Sequence, residues 1–305
     1  MKRYLLIYLA LILGIAGTFG QQMTLVPISL FDRALPYYNP AATGMEEALT
    51  ASLFYRSHIT GMEGAPSALF FTANAPLKNY RMALGVKLEH ESVGSRNFTG
   101  FFFDYAYRMR LGSNTLAFAL EGGIYSGSID LVTLRDPSDL TWSENTSSSI
   151  LPNFGVGALY YGKIYWISFS VPRLLGYETK ESGEYGIKVA NVERDFIFAG
   201  GGRIKLNEDF DIEPSALMLF NPGTKLKYNI NALGVYRQRY KAGIGYKSIQ
   251  ALVFILTFDI NRQTSLAYSY DLNLAPMSNL SSSSHEIHFQ YTFGYTVNAN
   301  NPRGF

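Results

Sequence analysis

Cysteine is absent from this chain of 305 residues. Its absence excludes structural disulfides, thiolate-ligated zinc and thiol catalysis, and is compatible with an oxidising compartment without pointing to one. Charge is sparse: 16% of residues are Asp, Glu, Lys or Arg, and the net charge is +2. The Lys and Arg residues are scattered, so nothing resembles the basic footprint of a nucleic-acid-binding protein and no nucleic-acid partner is expected. Long apolar runs are lacking. Tyr4 to Ala16 is shorter than the roughly 20 residues of a membrane-spanning helix, and the greasiest later stretch, Ala251 to Ile260, has the length of a strand and precedes a polar turn.

Catalytic signals are equally thin. His58, His90, His285 and His288 are the four histidines, and none stands at metal-ligand spacing with a carboxylate on a helix. His285-Glu286-Ile287-His288 has the wrong spacing for a zinc motif and reads as a strand with a rim and a lumen histidine. The serines Ser281 to Ser284 beside His285 leave a Ser-His arrangement formally open, although serine runs are usually loop. Gly200-Gly201-Gly202 is followed by no helix and is read as a wall segment where crowding is relieved or the strand bends. No catalytic, cofactor-binding or metal-binding residue and no cofactor is therefore assigned.

Alternation is what the chain does have. With 47% hydrophobic residues it is too polar for a bundle of membrane helices, and it is too poorly charged for an ordinary cytosolic globule. The aromatics are 22 Tyr and 21 Phe against 2 Trp, rings suited to the girdles where lipid meets water. From Ala48 to Tyr295 about fourteen segments alternate with period two, the mark of strands. Met82, Leu84, Val86 and Leu88 oppose Arg81, Lys87, Glu89 and Glu91, and Phe101, Phe103, Tyr105, Tyr107 and Met109 oppose Gly100, Asp104, Arg108 and Arg110. Ile287, Phe289, Tyr291, Phe293 and Tyr295 oppose His288, Gln290, Thr292 and Gly294.

The gaps between segments are alternately short and long. Short turns fall at Lys78-Asn79, Leu111 to Asn114, Gly162-Lys163, Asn207 to Asp209, Arg237 to Arg239 and Asn261 to Gln263. Between them lie Ser57 to Pro66, Glu91 to Asn97, Ser126 to Pro152, Arg173 to Val192, Phe220 to Thr224, Lys247 to Gln250 and Asp271 to Ser284. Outer-membrane barrels have short periplasmic turns and longer outer loops. A β-sandwich or propeller would also alternate but would bury its faces against protein. The expected fold is thus all-β, a transmembrane antiparallel β-barrel of about 14 strands in contact with outer-membrane lipid, with N- and C-termini periplasmic.

Residues 1–20 read as a signal peptide, with Lys2 and Arg3 before an apolar core and Thr18-Phe19-Gly20 before Gln21. Residues 21–47 do not alternate. They contain Pro27, Pro36 and Asn39-Pro40-Ala41-Ala42-Thr43-Gly44, and are expected either to hang in the periplasm or to fill the barrel as a plug, the latter preferred because a barrel this wide needs filling. Residues 48–296 form the barrel and 297–305 a periplasmic tail. Arg81, Lys87, Glu89, Asp104, Arg108, Glu121, Arg203, Lys205, Lys241, Lys247, Asp259 and Asp271 fall on the inward parity, as neutralising pairs or as a selectivity filter. Candidate partner-binding residues in the outer loops are Asp136, Leu140 and Trp142, with Leu174, Tyr177 and Leu280. Trp142 either anchors a partner or packs on its own loop.

The ordered set Asn39-Pro40-Ala41-Ala42-Thr43-Gly44, Tyr55-Arg56-Ser57, Gly64-Ala65-Pro66, Tyr105-Ala106-Tyr107, the run from Pro152 to Tyr161, Tyr270-Asp271 and Ser284-His285-Glu286-Ile287 resembles the PorP/SprF family of the type IX secretion and gliding system. The resemblance spans nearly the whole mature chain, and His58-Ile59 departs from it where many members carry an aromatic. It implies a barrel without enzymatic chemistry that works with machinery subunits on the periplasmic side and holds a secreted adhesin or enzyme at the cell surface through that cargo's C-terminal domain. The Asn-Pro-Ala element, with Asn39, Pro40, Ala41 and Gly44 as the plug motif, also resembles the hatch of long-chain fatty-acid transporters. The alternative is therefore a channel for hydrophobic small molecules, which requires an apolar pocket where this chain places charge.

Overall fold

Because successive side chains of a strand point to opposite faces, the alternating segments close into a ring with one face out and one in. The computed structural model describes residues 27–58, 64–78, 80–129, 146–147, 150–178, 191–192, 194–222, 224–274 and 283–294. Its barrel strands are β1 (Thr50–His58), β2 (Ser67–Pro76), β3 (Met82–Val93), β4 (Arg96–Leu111), β5 (Asn114–Ile129), β6 (Leu151–Tyr161), β7 (Tyr165–Val171), β8 (Phe196–Gly202), β9 (Phe210–Phe220), β10 (Lys227–Tyr236), β11 (Tyr240–Lys247), β12 (Ala251–Asp259), β13 (Thr264–Asn273) and β14 (Ser283–Thr292). Each pairs antiparallel with its sequence neighbours, and β1 pairs with β14 to close a barrel of 14 strands with no free edge.

Burial is inverted relative to a water-soluble protein. Leu120 on the outer face is 63% exposed while Lys87 on the inner face is 2% exposed, the sign of a wall that meets hydrocarbon outside. No helix among the described residues is long and apolar enough to cross a membrane. Cross-strand ring pairs Phe210 with Tyr236 and Tyr240 with Phe258 lie on strand ends beside the short turns, and Phe196 with Phe220 and Tyr228 with Tyr246 lie toward the opposite ends. These are two aromatic girdles.

Several boundaries differ from the sequence expectation. Glu91 to Asn97 is no loop: β3 and β4 stay paired as far as Val93 opposite Arg96 and reverse at Gly94-Ser95, where Gly94 takes φ +61. β14 ends at Thr292, so Phe293 lies in a turn, its N–H donating to the Leu49 carbonyl, and Tyr295 lies outside the described residues. The ladder between β8 and β9 lapses beside Pro214, which has no N–H to give, and resumes where Ile204 faces Ile212. Lys205 stands opposite Asp211 on the inner-face parity and is exposed at the mouth. Arg81 precedes β3 and is exposed at the mouth.

The inner face is not uniformly polar. Ile197, Leu217, Leu219, Leu233, Val253 and Ile255 turn inward with Phe54 and Phe70, packing on Ile28, Leu30, Phe31, Tyr37 and Tyr38 of the segment that precedes the barrel. A second cluster sets Leu35, Ala41, Ala42 and Met45 of that segment against Ala83, Ala106, Ala117 and Leu159 of the wall. Trp166 packs against both clusters, and Gly201 makes room for it: a Cβ there would sit 2.8 Å from the indole Nε1. Each fully buried Leu, Ile or Phe contributes about 1.5–3 kcal/mol, so residues 28–45 are held as a core would be.

Candidate functional site

The inner segment threads the lumen from the rim of long gaps to the rim of short turns. The Pro27 carbonyl accepts from Arg56 Nη1 at 3.3 Å and Lys247 Nζ at 3.0 Å, both near strand ends that lead to the long-gap rim. At the other end the Gly44 carbonyl accepts from Arg108, and the Gly44 N–H donates to Asn74 Oδ1 at 2.9 Å, beside the short turns. Gly44 takes φ +74, and a Cβ there would lie 2.4 Å from that of Ala83. Only glycine fits this exit.

Near the long-gap rim four charges close on the segment. Arg56 and Glu286 face each other in register on β1 and β14 and form an ion pair. Asp271 Oδ2 accepts from Arg56 at 3.2 Å and Lys247 at 2.7 Å. Two cations and two anions cancel, and all four side chains are at most 3% exposed. Ser29 ties the segment to the group: its N–H donates to both Glu286 oxygens at 2.9 Å, and its hydroxyl donates to Asp271 Oδ1 at 2.6 Å. The Leu30 N–H donates to Glu286 at 3.1 Å. The carboxylate takes charge-assisted bonds from backbone and side chains together, the strong class of hydrogen bond.

Across the lumen, Leu35–Tyr38 forms one helical turn started by Pro36. The Tyr37 hydroxyl donates to Glu91 at 3.3 Å. Glu89 and Glu91 also face Arg173, at 3.5 and 3.9 Å, whose guanidinium lies 4.8 Å from the Tyr125 ring centroid. Arg173 is the root of the long connection after β7 and is 1% exposed; Asp195 at its far root is 2% exposed. Asn153 holds Leu175 by two backbone bonds, at 3.0 and 3.2 Å. The connection is thus fixed at its base to the group that grips Tyr37. Lys87 pairs with Glu121 at 2.6 Å and donates to the Tyr37 carbonyl at 3.4 Å.

Asn39 stands midway. The residue before a proline is extended, and Asn39, at φ −137 and ψ 113, precedes the short 3₁₀ turn Pro40–Ala42, whose Ala41 N–H donates to Asn39 Oδ1 at 2.8 Å. The amide nitrogen donates outward to the Ala158 carbonyl at 2.9 Å, Ser168 Oγ at 2.7 Å and the Phe169 carbonyl at 3.2 Å. The side chain rests on Gly157, where a Cβ would lie 1.9 Å from Asn39 Oδ1. Two cavities beside the segment measure about 60 and 20 Å³, room for a water or two.

Of the residues singled out in sequence, Asn39, Pro40, Ala41 and Gly44 are buried in this contact, and Lys87, Glu89, Asp104, Arg108, Glu121, Lys241, Lys247 and Asp271 are buried on the inner face. Arg203 and Lys241 share Glu213, at 2.5 and 2.9 Å. Leu174 is half-buried at the loop root, and Tyr177 lies in a two-residue strand paired with Asn191–Val192. Asp136, Leu140, Trp142 and Leu280 lie outside the described residues. Sequence reasoning gave no role to Arg56, Glu286, Arg173 and Glu213. The inward parity of Glu286 was readable from its place beside Ile287 and His288, whereas its partners Ser29, Leu30 and Arg56 lie more than two hundred positions away. His288 is buried in the lumen beside Phe54, and His285 contacts Tyr268 and Tyr270 on the outer parity.

Comparison with known proteins places this geometry. No sequence match to a curated protein was found. Among solved structures, the CymD monoaromatic hydrocarbon channel is similar in fold at 11% identity and a TM-score of 0.51, covering 91% of this chain and 95% of that one. A Pseudomonas aeruginosa FadL homologue gives 11% identity and 0.49 over 86% and 94%, and Omp33 of Acinetobacter baumannii gives 5% and 0.48 over 81% and 100%. At 11% identity the likeness to CymD is one of fold alone. The family model described as type IX secretion system membrane protein PorP/SprF matches residues 20–291, so most of the sequence that builds the strands and the inner segment is that of one family, and the chain belongs to the PorP/SprF family of type IX secretion membrane proteins.

Proposed function

We propose that this protein is a non-enzymatic outer-membrane barrel that supports export and surface anchoring of a secreted adhesin or enzyme, gripping the C-terminal domain of that cargo at the long-gap rim while the short-turn rim faces the secretion machinery in the periplasm. In this reading residues 1–20 are removed on export, 21–47 serve as a built-in plug, 48–296 form the barrel and 297–305 trail at the periplasmic rim. The observation that carries it is the filled lumen. A barrel occupied by its own chain, bonded at both ends and the middle, offers its rims for work, and the rim with the longer connections has its base tied to the plug through Arg173 and Glu91. The partner contacts are assigned to Asp136, Leu140, Trp142, Leu174, Tyr177 and Leu280.

Replacing residues 179–190 with a short Gly-Ser linker is expected to release the cargo from the cell surface while the barrel keeps its heat-modifiable gel mobility. Surface proteolysis of intact cells reads the attachment. Normal export and attachment of every large surface protein after deletion of the gene would overturn the reading. The alternative, a channel for hydrophobic compounds, shares only the fold with CymD, and it requires stoichiometric binding of a fatty acid, for which the two cavities of about 60 and 20 Å³ beside the plug are too small.

A further inference from the structure

At the short-turn mouth, beside the point where the plug ends, the wall leaves a hollow of about 510 Å³ whose lining includes Arg81, Arg108, Arg110, Thr115, Tyr161 and Glu47. Its size is that of a ligand site. Three arginines against one glutamate leave it basic. Arg110 meets Glu47 at 3.8 Å but is 78% exposed, so the pair neutralises little. Arg108 is the buried member. It is 4% exposed, and Nη1 serves the Gly44 carbonyl, yet Nε and Nη2 meet no acceptor in hydrogen-bond geometry among the described residues. Those two nitrogens are closed off from the hollow and the side chain also meets Tyr161, so Arg108 lends positive charge, while Arg81 and Arg110 stand exposed at the hollow with planar forks that fit a carboxylate.

We propose that this hollow binds a carboxylate-bearing peptide, an acidic segment of a protein that approaches the short-turn mouth. Arg108, Arg110, Thr115 and Tyr161 lie on the lumen-facing parity of β4, β5 and β6, inside the ring, while Tyr107 and Met109 take the opposite, lipid-facing parity. Tyr107 and Met109 also line the hollow at its edge, so the lumen-side arginines favour a peptide, and a lipid headgroup is the source the test sets apart. That the peptide belongs to the secretion machinery rests on the function proposed above. Because Arg108 lines the hollow and serves the Gly44 carbonyl, an occupant also lies beside the plug's exit.

The test uses purified full-length protein in a neutral detergent and a fluorescein-labelled hexaglutamate peptide followed by anisotropy. Binding is expected to weaken with added salt and to fall by about tenfold or more in the double variant Arg81→Glu, Arg110→Glu. It should persist in Arg237→Glu, Arg262→Glu, which makes the same charge change on other turns of the same rim. Equal loss in both variants, equal binding of hexalysine, no binding by the wild type, or displacement by phosphatidylglycerol at matched phosphate concentration would each overturn the proposal. Peptide affinity is read on pure protein and cargo attachment on cells, so the site and the anchoring role fail separately.

Discussion

Glu286→Ala is expected to unseat the plug and open the barrel to ions. The carboxylate takes bonds from Ser29 and Leu30 of the plug and from Arg56 and Lys247 of the wall. Its removal strands Arg56 and Lys247 beside Asp271 alone. Breaking a buried pair by deleting one partner costs about 3–5 kcal/mol, and here the cost is met most readily by letting water in, which means displacing residues 27–31. Hydrogen exchange in the peptide covering 27–38 should become fast, and planar-bilayer recordings should change from closed to stepwise conductance. Glu286→Gln keeps the shape and an amide oxygen for Ser29, so its effect should be smaller. The paired variant Arg56→Met, Glu286→Leu leaves Lys247 and Asp271 as a neutral couple and should restore slow exchange, since replacing a buried ion pair with apolar groups is often neutral. Slow exchange and a silent bilayer in folded Glu286→Ala would mean that the apolar contacts of Leu30 and Phe31 hold the plug unaided.

How much of this could be read in the sequence depends on whether one face of a strand differs from the other. β3 and β4 carry charge on one parity and apolar groups on the other, so Lys87, Glu89, Asp104 and Arg108 were legible as inward residues, and they are buried. β12 is apolar on both faces. Val253 and Ile255 point in because plug residues await them, while Phe254 and Leu256 point to lipid; parity alone cannot say which row meets protein. The lapse at Pro214 was unread for a related reason. A missing N–H shows in sequence, but its effect on which residues near Gly202 stay paired, and so on the exposure of Lys205, depends on register with a neighbouring strand. The plug motif was legible as a turn, since Asn before Pro sets one, yet its partners Ala158, Ser168 and Phe169 lie 119 to 130 positions away, and contacts of that range leave no local trace.

The latch formed by Asn39 and Gly157 leads to the second large effect. Asn39→Ala removes the donations to Ala158, Ser168 and Phe169 and the acceptance from Ala41. The amide has two N–H groups for its three acceptors, so at about 1 kcal/mol net for each of those and for the acceptance from Ala41, the loss should approach about 3 kcal/mol. Gly157→Ala attacks the same contact from the wall, placing a methyl where Asn39 Oδ1 now lies; the backbone of β6 is fixed in its ladder to β5 and β7, so Asn39 must yield. The two losses should not add. With Asn39 already truncated the methyl has room, and Gly157→Ala in that background should cost little, giving a coupling within the range of about 0.5–3 kcal/mol seen for touching residues. Urea titration of the folded band by heat-modifiable mobility gives the four stabilities of the cycle, and exchange in the peptide covering 35–45 reports whether the plug itself has moved. Additive losses would show that Asn39 and Gly157 act separately, and the Asn-Pro-Ala turn would then be a packing element and not the latch that fixes the plug halfway along the lumen.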